Sequence, residues 1–157
     1  IAYVDTTDDP GRAPSVANPH LHWIVGVDRT FFANLNANLQ FFQRRVRNHR
    51  DPAAWPVPAE RSTALLNSLM NGQRDAITNG VSFRISNKWR NDTLEAEIFA
   101  VHSLTRGDSL LRPLVTYAFT DRWKGTVGAE IYRGSSNTQY GSLKANRGAF
   151  AELRYGF

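Results

Sequence analysis

The sequence predicts an all-β protein: an antiparallel transmembrane β-barrel, or part of a larger one, with about eight strands in this chain. Three observations predict this fold class. Six segments alternate apolar and polar residues, the connections between them alternate between short and long, and the chain closes on a further alternating segment rich in aromatic residues. A period of two is the signature of strands, because successive side chains point to opposite faces.

The alternating segments follow one another along the chain. They are HLHWIVGV (20–27), FFANLNANLQFF (31–42), GVSFRISNKWR (80–90), TLEAEIFAVHSL (93–104), LRPLVTYAF (111–119) and WKGTVGAEIY (123–132). The second segment also fits a helix, since Phe31, Leu35, Leu39 and Phe42 recur at helical spacing. Its asparagines are poor helix formers and its neighbours share the period of two, so we predict a strand.

The connections between these segments fall into two kinds. Short connections are predicted at 28–30, 91–92 and 120–122, and long ones at 5–18, 44–78 and 134–146, with a shorter one near 105–109. Strict alternation is typical of a transmembrane barrel, which has tight periplasmic turns and longer extracellular loops. The turns predict the pairs Trp89 with Leu94, Lys88 with Glu95, Phe119 with Trp123, Val115 with Val127, Arg112 with Glu130, Val27 with Phe31, Trp23 with Leu35 and His22 with Asn36.

Strands of this kind have one apolar face, expected to meet lipid, and one polar face, expected to line the interior. The predicted lumen-lining residues are Asn34, Asn36, Asn38, Gln40, Arg84, Lys88, Glu95, Glu97, Arg112 and Glu130. The aromatic residues predicted for the membrane interface are Phe31, Trp89, Phe119, Trp123, Tyr155 and Phe157. In a wide barrel the polar residues would line a pore and set its selectivity, whereas in a closed eight-stranded barrel they would fill the interior.

Composition narrows the class of protein. The 157 residues form one barrel domain or the C-terminal segment of a barrel, because no shift in composition divides them. No run approaches the roughly 18 apolar residues of a transmembrane helix, and the mean hydropathy of -0.43 is compatible with alternating strands. The absence of cysteine excludes disulfides and thiolate chemistry. The net charge of +5 is spread along the chain rather than clustered, so no nucleic-acid partner is expected.

Two further segments carry expectations of their own. The sequence begins without methionine or an apolar leader, inside what looks like a strand, so we expect a processed chain or a piece of a longer one. Within the long loop 44–78, ERSTALLNSLMNG predicts a helix with Gly72 as its cap. Its apolar residues are Ala64, Leu65, Leu66, Leu69 and Met70. Such a helix could enter the mouth of the barrel, lie across it as a lid, or cover apolar surface.

The sequence does not predict an enzyme. His102 and Ser103 are adjacent on a predicted strand and would point to opposite faces, so they cannot act on one another. His20 and His22 have a spacing that metal ligands use, yet no carboxylate is placed beside them, and a solvated strand end explains the pair. His49 has no catalytic partner in the sequence. We therefore expect no catalytic residues, no metal and no cofactor.

The C-terminal segment AFAELRYGF places Tyr155, Leu153 and Ala151 at every second position before Phe157. It resembles the C-terminal signature of Gram-negative outer-membrane proteins, which the barrel-assembly machinery recognises. This resemblance implies a location in the outer membrane, with lipid and lipopolysaccharide around the barrel. It also implies that the C-terminus and every short turn are periplasmic.

The segment EIYRGSSNTQYGSLKANRGAFAELRYGF resembles the closing hairpin of the outer-membrane family called domain of unknown function 1302. Gly134, Ser135, Thr138, Tyr140 and Gly141 match the loop of that family and residues 152–157 match its final strand, while Gln139 and Gly156 depart from the pattern. Members of the family are longer than this chain. The resemblance implies a channel or transporter for hydrophobic compounds, working with periplasmic transport partners. The alternative from the residues alone is a small closed barrel with an anchoring or adhesin-like role.

Overall fold

A computed structural model of the chain describes residues 1–7, 10–32 and 34–157, and residues 8 and 9 of the predicted loop 5–18 therefore lie outside it. The predicted all-β class and antiparallel strands are confirmed. Eight strands form one open sheet in chain order. They are β1 (Ala2–Val4), β2 (His20–Phe31), β3 (Leu35–Val46), β4 (Ile77–Trp89), β5 (Leu94–Ser103), β6 (Ser109–Ala118), β7 (Trp123–Arg133) and β8 (Gly148–Tyr155).

The chain divides into two compact units, and strands β2 and β3 contribute to both. The first unit comprises Ile1–Val25 and Phe42–Asn79, and the second comprises Gly26–Phe41 and Gly80–Phe157. Helix α1 (Pro58–Met70) and a short 3-10 helix (Pro52–Ala54) lie in the first unit. A second 3-10 helix (Gly141–Asn146) lies in the second.

The predicted hairpin between β4 and β5 is confirmed. Trp89 pairs with Leu94 and Lys88 pairs with Glu95. Arg90, Asn91 and Asp92 all have positive φ, at 54°, 54° and 65°. Positive φ at Asn91 and Asp92 is what the two central residues of a type I′ hairpin turn require. Asparagine and aspartate tolerate this conformation better than most residues, and for this reason the turn was predictable.

The predicted hairpin between β6 and β7 is also confirmed. Val115 pairs with Val127, and the Phe119 N–H donates to the Trp123 carbonyl at 3.0 Å. The Phe119 ring then covers Gly125, where an added Cβ would lie 2.8 Å from the ring edge. This packing of an aromatic ring over a strand glycine shields backbone that would otherwise be uncovered.

The predicted turn at 28–30 is wrong, because β2 continues to Phe31 and β3 begins at Leu35. The Thr30 hydroxyl bonds the Asn36 Oδ1 at 2.7 Å, and a Cβ at Gly26 would lie 2.8 Å from the Gln40 Cγ. The turn is therefore centred four residues further along than predicted. The predicted pairs Val27 with Phe31, Trp23 with Leu35 and His22 with Asn36 do not form. The shift is an even number of residues, so the side chains that remain in β2 and β3 keep their predicted faces.

The long connections also follow the prediction. Helix α1 ends at Met70, and the predicted cap residue Gly72 follows Asn71 with a φ of +62°. The Gln73 N–H donates to the Ser68 carbonyl at 2.8 Å and the Gly72 N–H donates to Leu69, which together form a Schellman cap. The Arg44 guanidinium adds a hydrogen bond of 2.8 Å to the Asn71 carbonyl. Four of the five apolar residues predicted for the helix face are exposed: Leu65, Leu66, Leu69 and Met70.

Buried apolar side chains are found in the first unit. Among the described residues they are Val46, Trp55 and Ala64. Gln73, which is 4% exposed, fastens the loop before β2 to this core, since its amide bonds the backbone N–H and carbonyl of Asn18 at 2.8 and 2.7 Å. The buried side chains among the described residues of the second unit are polar: Ser86, Asp108 and Thr138.

Candidate functional site

The register of β4 to β8 sorts their side chains onto two faces. Paired residues lie on the same face of an antiparallel sheet, so each row of partners can be followed across the strands. One face carries Phe83, Ile85, Ile98, Val115, Val127, Ala151 and Leu153. The opposite face carries Arg84, Lys88, Glu95, Glu97, Arg112, Thr116, Lys124, Thr126, Glu152 and Arg154.

The apolar face is uncovered. Val127 is 55% exposed, Ile98 is 44% exposed and Leu153 is 65% exposed, although each lies within a strand rather than at a loop. Exposed hydrophobic side chains continue along this face from β4 to β8. Soluble monomeric proteins seldom expose a continuous apolar surface of this kind, which is usually covered by another protein or by lipid.

The polar face contains a groove of about 540 Å³ within the second unit. Six of the predicted lumen-lining residues line it: Asn36, Asn38, Gln40, Arg84, Lys88 and Glu95. Ser82, Ser86 and Phe99 complete its strand walls, as their position on the polar face of β4 and β5 requires. The groove is thus built mainly from residues on the polar face of β3, β4 and β5, with Ala37 and one residue of β2 completing its lining.

Other predicted residues of the polar face lie outside the groove lining. Glu97 faces Ser86 across the strands and forms an ion pair of 2.6 Å with Arg84. Arg112 and Glu130 form the predicted pair on β6 and β7, at 3.6 Å. Asn34 lies in the turn before β3, where its side-chain amide donates to the Lys88 carbonyl at 3.2 Å. It therefore holds the turn rather than projecting from a strand.

The polar face between β6 and β8 carries larger side chains that contact one another. The Tyr132 hydroxyl donates to Glu130 at 2.7 Å, and the Arg112 guanidinium lies over the Phe150 ring at 5.7 Å. Leu114 and Phe150 close over Gly128, where an added Cβ would lie 2.5 and 2.7 Å from their side chains. The polar face thus has an open half toward β3 and a filled half toward β8.

Asp28 is a groove residue that the sequence prediction missed. It was predicted to lie in a turn, because aspartate favours turns and Thr30 follows it closely. Asn34 is also a good turn residue, and a turn there leaves β2 four residues longer. With that register Asp28 stands on the same face as Asn36.

The predicted interface aromatics lie near the short turns. The Trp123 and Tyr155 rings are 4.8 Å apart, and Tyr155 contacts Phe157 at 5.5 Å. Phe119 packs edge-on against Tyr117 at 5.0 Å. Phe31 ends β2 under the Arg29 guanidinium, and Trp89 ends β4 at 45% exposure. These rings all lie at the turn end of the second unit. Their prediction as membrane-interface residues rests on this position.

The structure places the titratable residues that the sequence singled out as candidates for chemistry. His102 pairs with Val81 and Ser103 with Gly80, which puts the two neighbours on opposite faces of β5. No cluster of three or more histidine or carboxylate side chains suited to a metal ion occurs among residues 1–7, 10–32 and 34–157. In the loop after β7, burial raises the pKa of the Tyr140 hydroxyl, and the Asp108 carboxylate raises it further.

Among the described residues, no helix has the length and apolar character needed to cross a bilayer. No protein-family model matches the sequence, and neither a curated protein nor a solved structure is significantly similar to it.

Proposed function

We propose that the sheet is the membrane-spanning wall of an outer-membrane channel or transporter β-barrel, with its apolar face against lipid and its polar face toward the interior. One observation carries this proposal: the same strands expose an apolar surface on one face and a polar groove on the other. Val127 and Leu153 are exposed on one face, while the groove lined by Asn38 and Arg84 opens on the other. A sheet in water would be expected to cover such an apolar face with helices or a second sheet.

Strand lengths support the same proposal. Strands β4 to β7 contain 13, 10, 10 and 11 residues. About 9 to 11 residues, tilted by roughly 45°, are needed to cross the hydrocarbon core of a bilayer. The alternation of tight turns with loops of up to thirty residues, numbered 47–76, also matches the two ends of an outer-membrane barrel.

In this role the chain would lie in lipid and lipopolysaccharide, with its short turns and its C-terminus in the periplasm. The barrel-assembly machinery would insert it, and periplasmic transport partners would meet its turn end. The resemblance to the family named above implies hydrophobic compounds as cargo. An open edge at β8 allows further strands to complete a wider barrel, because all eight residues of that strand are exposed.

The second candidate is a small closed barrel that serves as an anchor or an adhesin. One observation favours it: the polar face between β6 and β8 is filled by Arg112, Glu130, Tyr132 and Phe150. Interiors of narrow barrels are packed in this manner. The two candidates differ in whether ions or solutes pass along the polar face.

Planar-bilayer recording with the full native polypeptide separates these candidates. A channel or transporter barrel should give discrete current steps, and protease treatment of the protein reconstituted in lipid vesicles should leave the strands intact. Inserted, protease-resistant protein without current would support the anchoring barrel instead. Failure of the protein to insert at all would contradict both candidates. The intact mass of the native polypeptide then tests whether these eight strands are the whole barrel.

A further inference from the structure

We propose that the groove between β3 and β5 accepts neutral, hydrogen-bonding solutes of the sugar or polyol class. This inference rests on the proposed channel or transporter function and replaces the hydrophobic cargo that the family resemblance implies. Three features of the groove carry it: its charges balance, its hydrogen-bonding groups are free, and an aromatic ring stands among them.

Charge balance is the first feature. Within the groove lining, Arg84 and Lys88 face Asp28 and Glu95, which gives two charges of each sign. Arg84 is further compensated by Glu97 at 2.6 Å. Over the polar face of the second unit, the positive residues are Arg84, Lys88, Arg112, Lys124 and Arg154, and the negative ones are Asp28, Glu95, Glu97, Glu130 and Glu152.

The balance is notable because the whole chain has a net charge of +5. Five positive and five negative residues on the polar face leave this surface with no net formal charge, so the excess positive charge lies elsewhere. Pores that select ions use rings of one sign of charge, since a net potential concentrates the counter-ion. A balanced wall offers neither cations nor anions such an advantage.

Hydrogen-bonding capacity is the second feature. Asn38 and Gln40 point amides into the groove, and Ser82 and Ser86 point hydroxyls into it. None of these four side chains hydrogen-bonds another residue in the part of the chain that the structure describes. Each offers both a donor and an acceptor, which is what a hydroxyl-bearing solute needs. A hydrophobic compound would instead leave these groups unpaired, at a cost in free energy.

The third feature is Phe99, which lies on the same wall opposite Arg84. Sugars carry apolar C–H faces as well as hydroxyl edges, so an aromatic ring beside amide groups suits both surfaces. The groove volume of about 540 Å³ lies within the range of roughly 300–1,000 Å³ that small-molecule sites occupy. A monosaccharide or disaccharide is of a size to fit there.

Reversal potentials and liposome swelling test this inference with the native chain. In a potassium chloride gradient, the ratio of cation to anion permeability should lie within about a factor of two of unity, because the wall has no net charge. In swelling assays, glucose should enter at least as fast as gluconate or glucosamine, which have similar size but carry charge. Strong preference for one ion, or faster entry of either charged sugar, would overturn the inference while the channel function stands. Inserted protein that carries no current would overturn the channel function and this inference with it.

A double variant connects solute entry to named residues. The double variant N38L/Q40L should reduce glucose entry about five-fold or more, because two hydrogen-bonding partners are lost. Potassium chloride conductance should change far less than glucose entry does. That result would show that the barrel of the variant remains open. Unchanged glucose entry in that variant would overturn the inference.

A charge substitution gives the converse test. Asn38→Asp adds one negative charge to the groove and should shift the permeability ratio several-fold toward cations. Asn91→Asp makes the same chemical change in the β4–β5 turn, where positive φ already suits aspartate, and should leave the ratio unchanged. Equal shifts in the two variants would show that the groove does not set selectivity, which contradicts the inference.

Discussion

The substitution Val127→Lys distinguishes a sheet that faces lipid from one that faces water. Val127 lies near the middle of β7, between partners Val115 and Ala151, and is 55% exposed. On the lipid face of a barrel, lysine costs about 2–4 kcal/mol at the bilayer midplane, which is roughly a 30- to 700-fold change in the folding equilibrium. An exposed position in water would change stability by about 0.5 kcal/mol or less.

The cost should also depend on depth along the strands. Leu111 lies on the same face, opposite Ile131 near the long-loop end of β6. Lysine there should cost only about 0–1 kcal/mol, because the side chain reaches the interface. Val127→Ala is the size control and should cost about 1 kcal/mol from lost apolar contact.

Urea titration of the full chain folded into phospholipid vesicles measures these differences, with the four tryptophans as reporters. The predicted order is a large loss for Val127→Lys, and small losses for Val127→Ala and Leu111→Lys. Equal and small effects of lysine at both positions would refute the assignment of this face to lipid.

Three further predictions concern the loops. Asp108→Ala should destabilise the protein by about 1–3 kcal/mol, because the Asp108 residue is 1% exposed and its carboxylate accepts a hydrogen bond from the Tyr140 N–H at 2.7 Å. Hydrogen exchange at the Tyr140 amide should accelerate in this variant, and an unchanged exchange rate would contradict the role of Asp108. Gly72→Ala should cost about 1 kcal/mol at φ +62°, read from thermal unfolding, whereas the neighbouring Asn71→Ala keeps an ordinary φ and should cost less. The raised pKa of Tyr140 means that the folded protein keeps this proton to a higher pH than the unfolded chain does, so the contribution of Tyr140 to stability is complete below about pH 10 and falls as the pH rises past it. The difference in phenolate absorbance between the wild type and Tyr140→Phe should titrate above the ordinary tyrosine pKa. Titration at the ordinary tyrosine pKa would contradict this prediction.

Turn chemistry explains which hairpins the sequence could predict. Asn91 and Asp92 occupy two of the three positive-φ positions of a tight turn, and few alternatives exist near them in the chain. At the first hairpin, Asp28 and Thr30 suit a turn as well as Asn34 does, so local chemistry cannot choose between two registers. The structure adopts the longer hairpin, in which Thr30 bonds Asn36.

The faces of the strands were more predictable than their registers. A shift of four residues preserves the period of two, so Asn36, Asn38 and Gln40 remain on the polar face after the correction. The division of that face into an open half and a filled half was not predictable, because it depends on which side chains meet across several strands. Gly128 leaves room for Phe150 and Leu114 only once β6, β7 and β8 are aligned.

The central claim is that the apolar face of this sheet contacts lipid, and spin-label accessibility along β7 tests it most directly. The chain contains no cysteine, so single cysteines can be introduced at each position from 123 to 133 and labelled without background. In vesicles, labels on the apolar face should be accessible to oxygen, and those on the polar face to a water-soluble nickel reagent. The oxygen-accessible positions should be 127, 129 and 131, and the nickel-accessible positions 124, 126 and 130. Labels at 125 and 128 are not scored, because neighbouring side chains cover Gly125 and Gly128. Nickel accessibility without a period of two, or nickel-accessible labels at 127 and 129, would contradict the account.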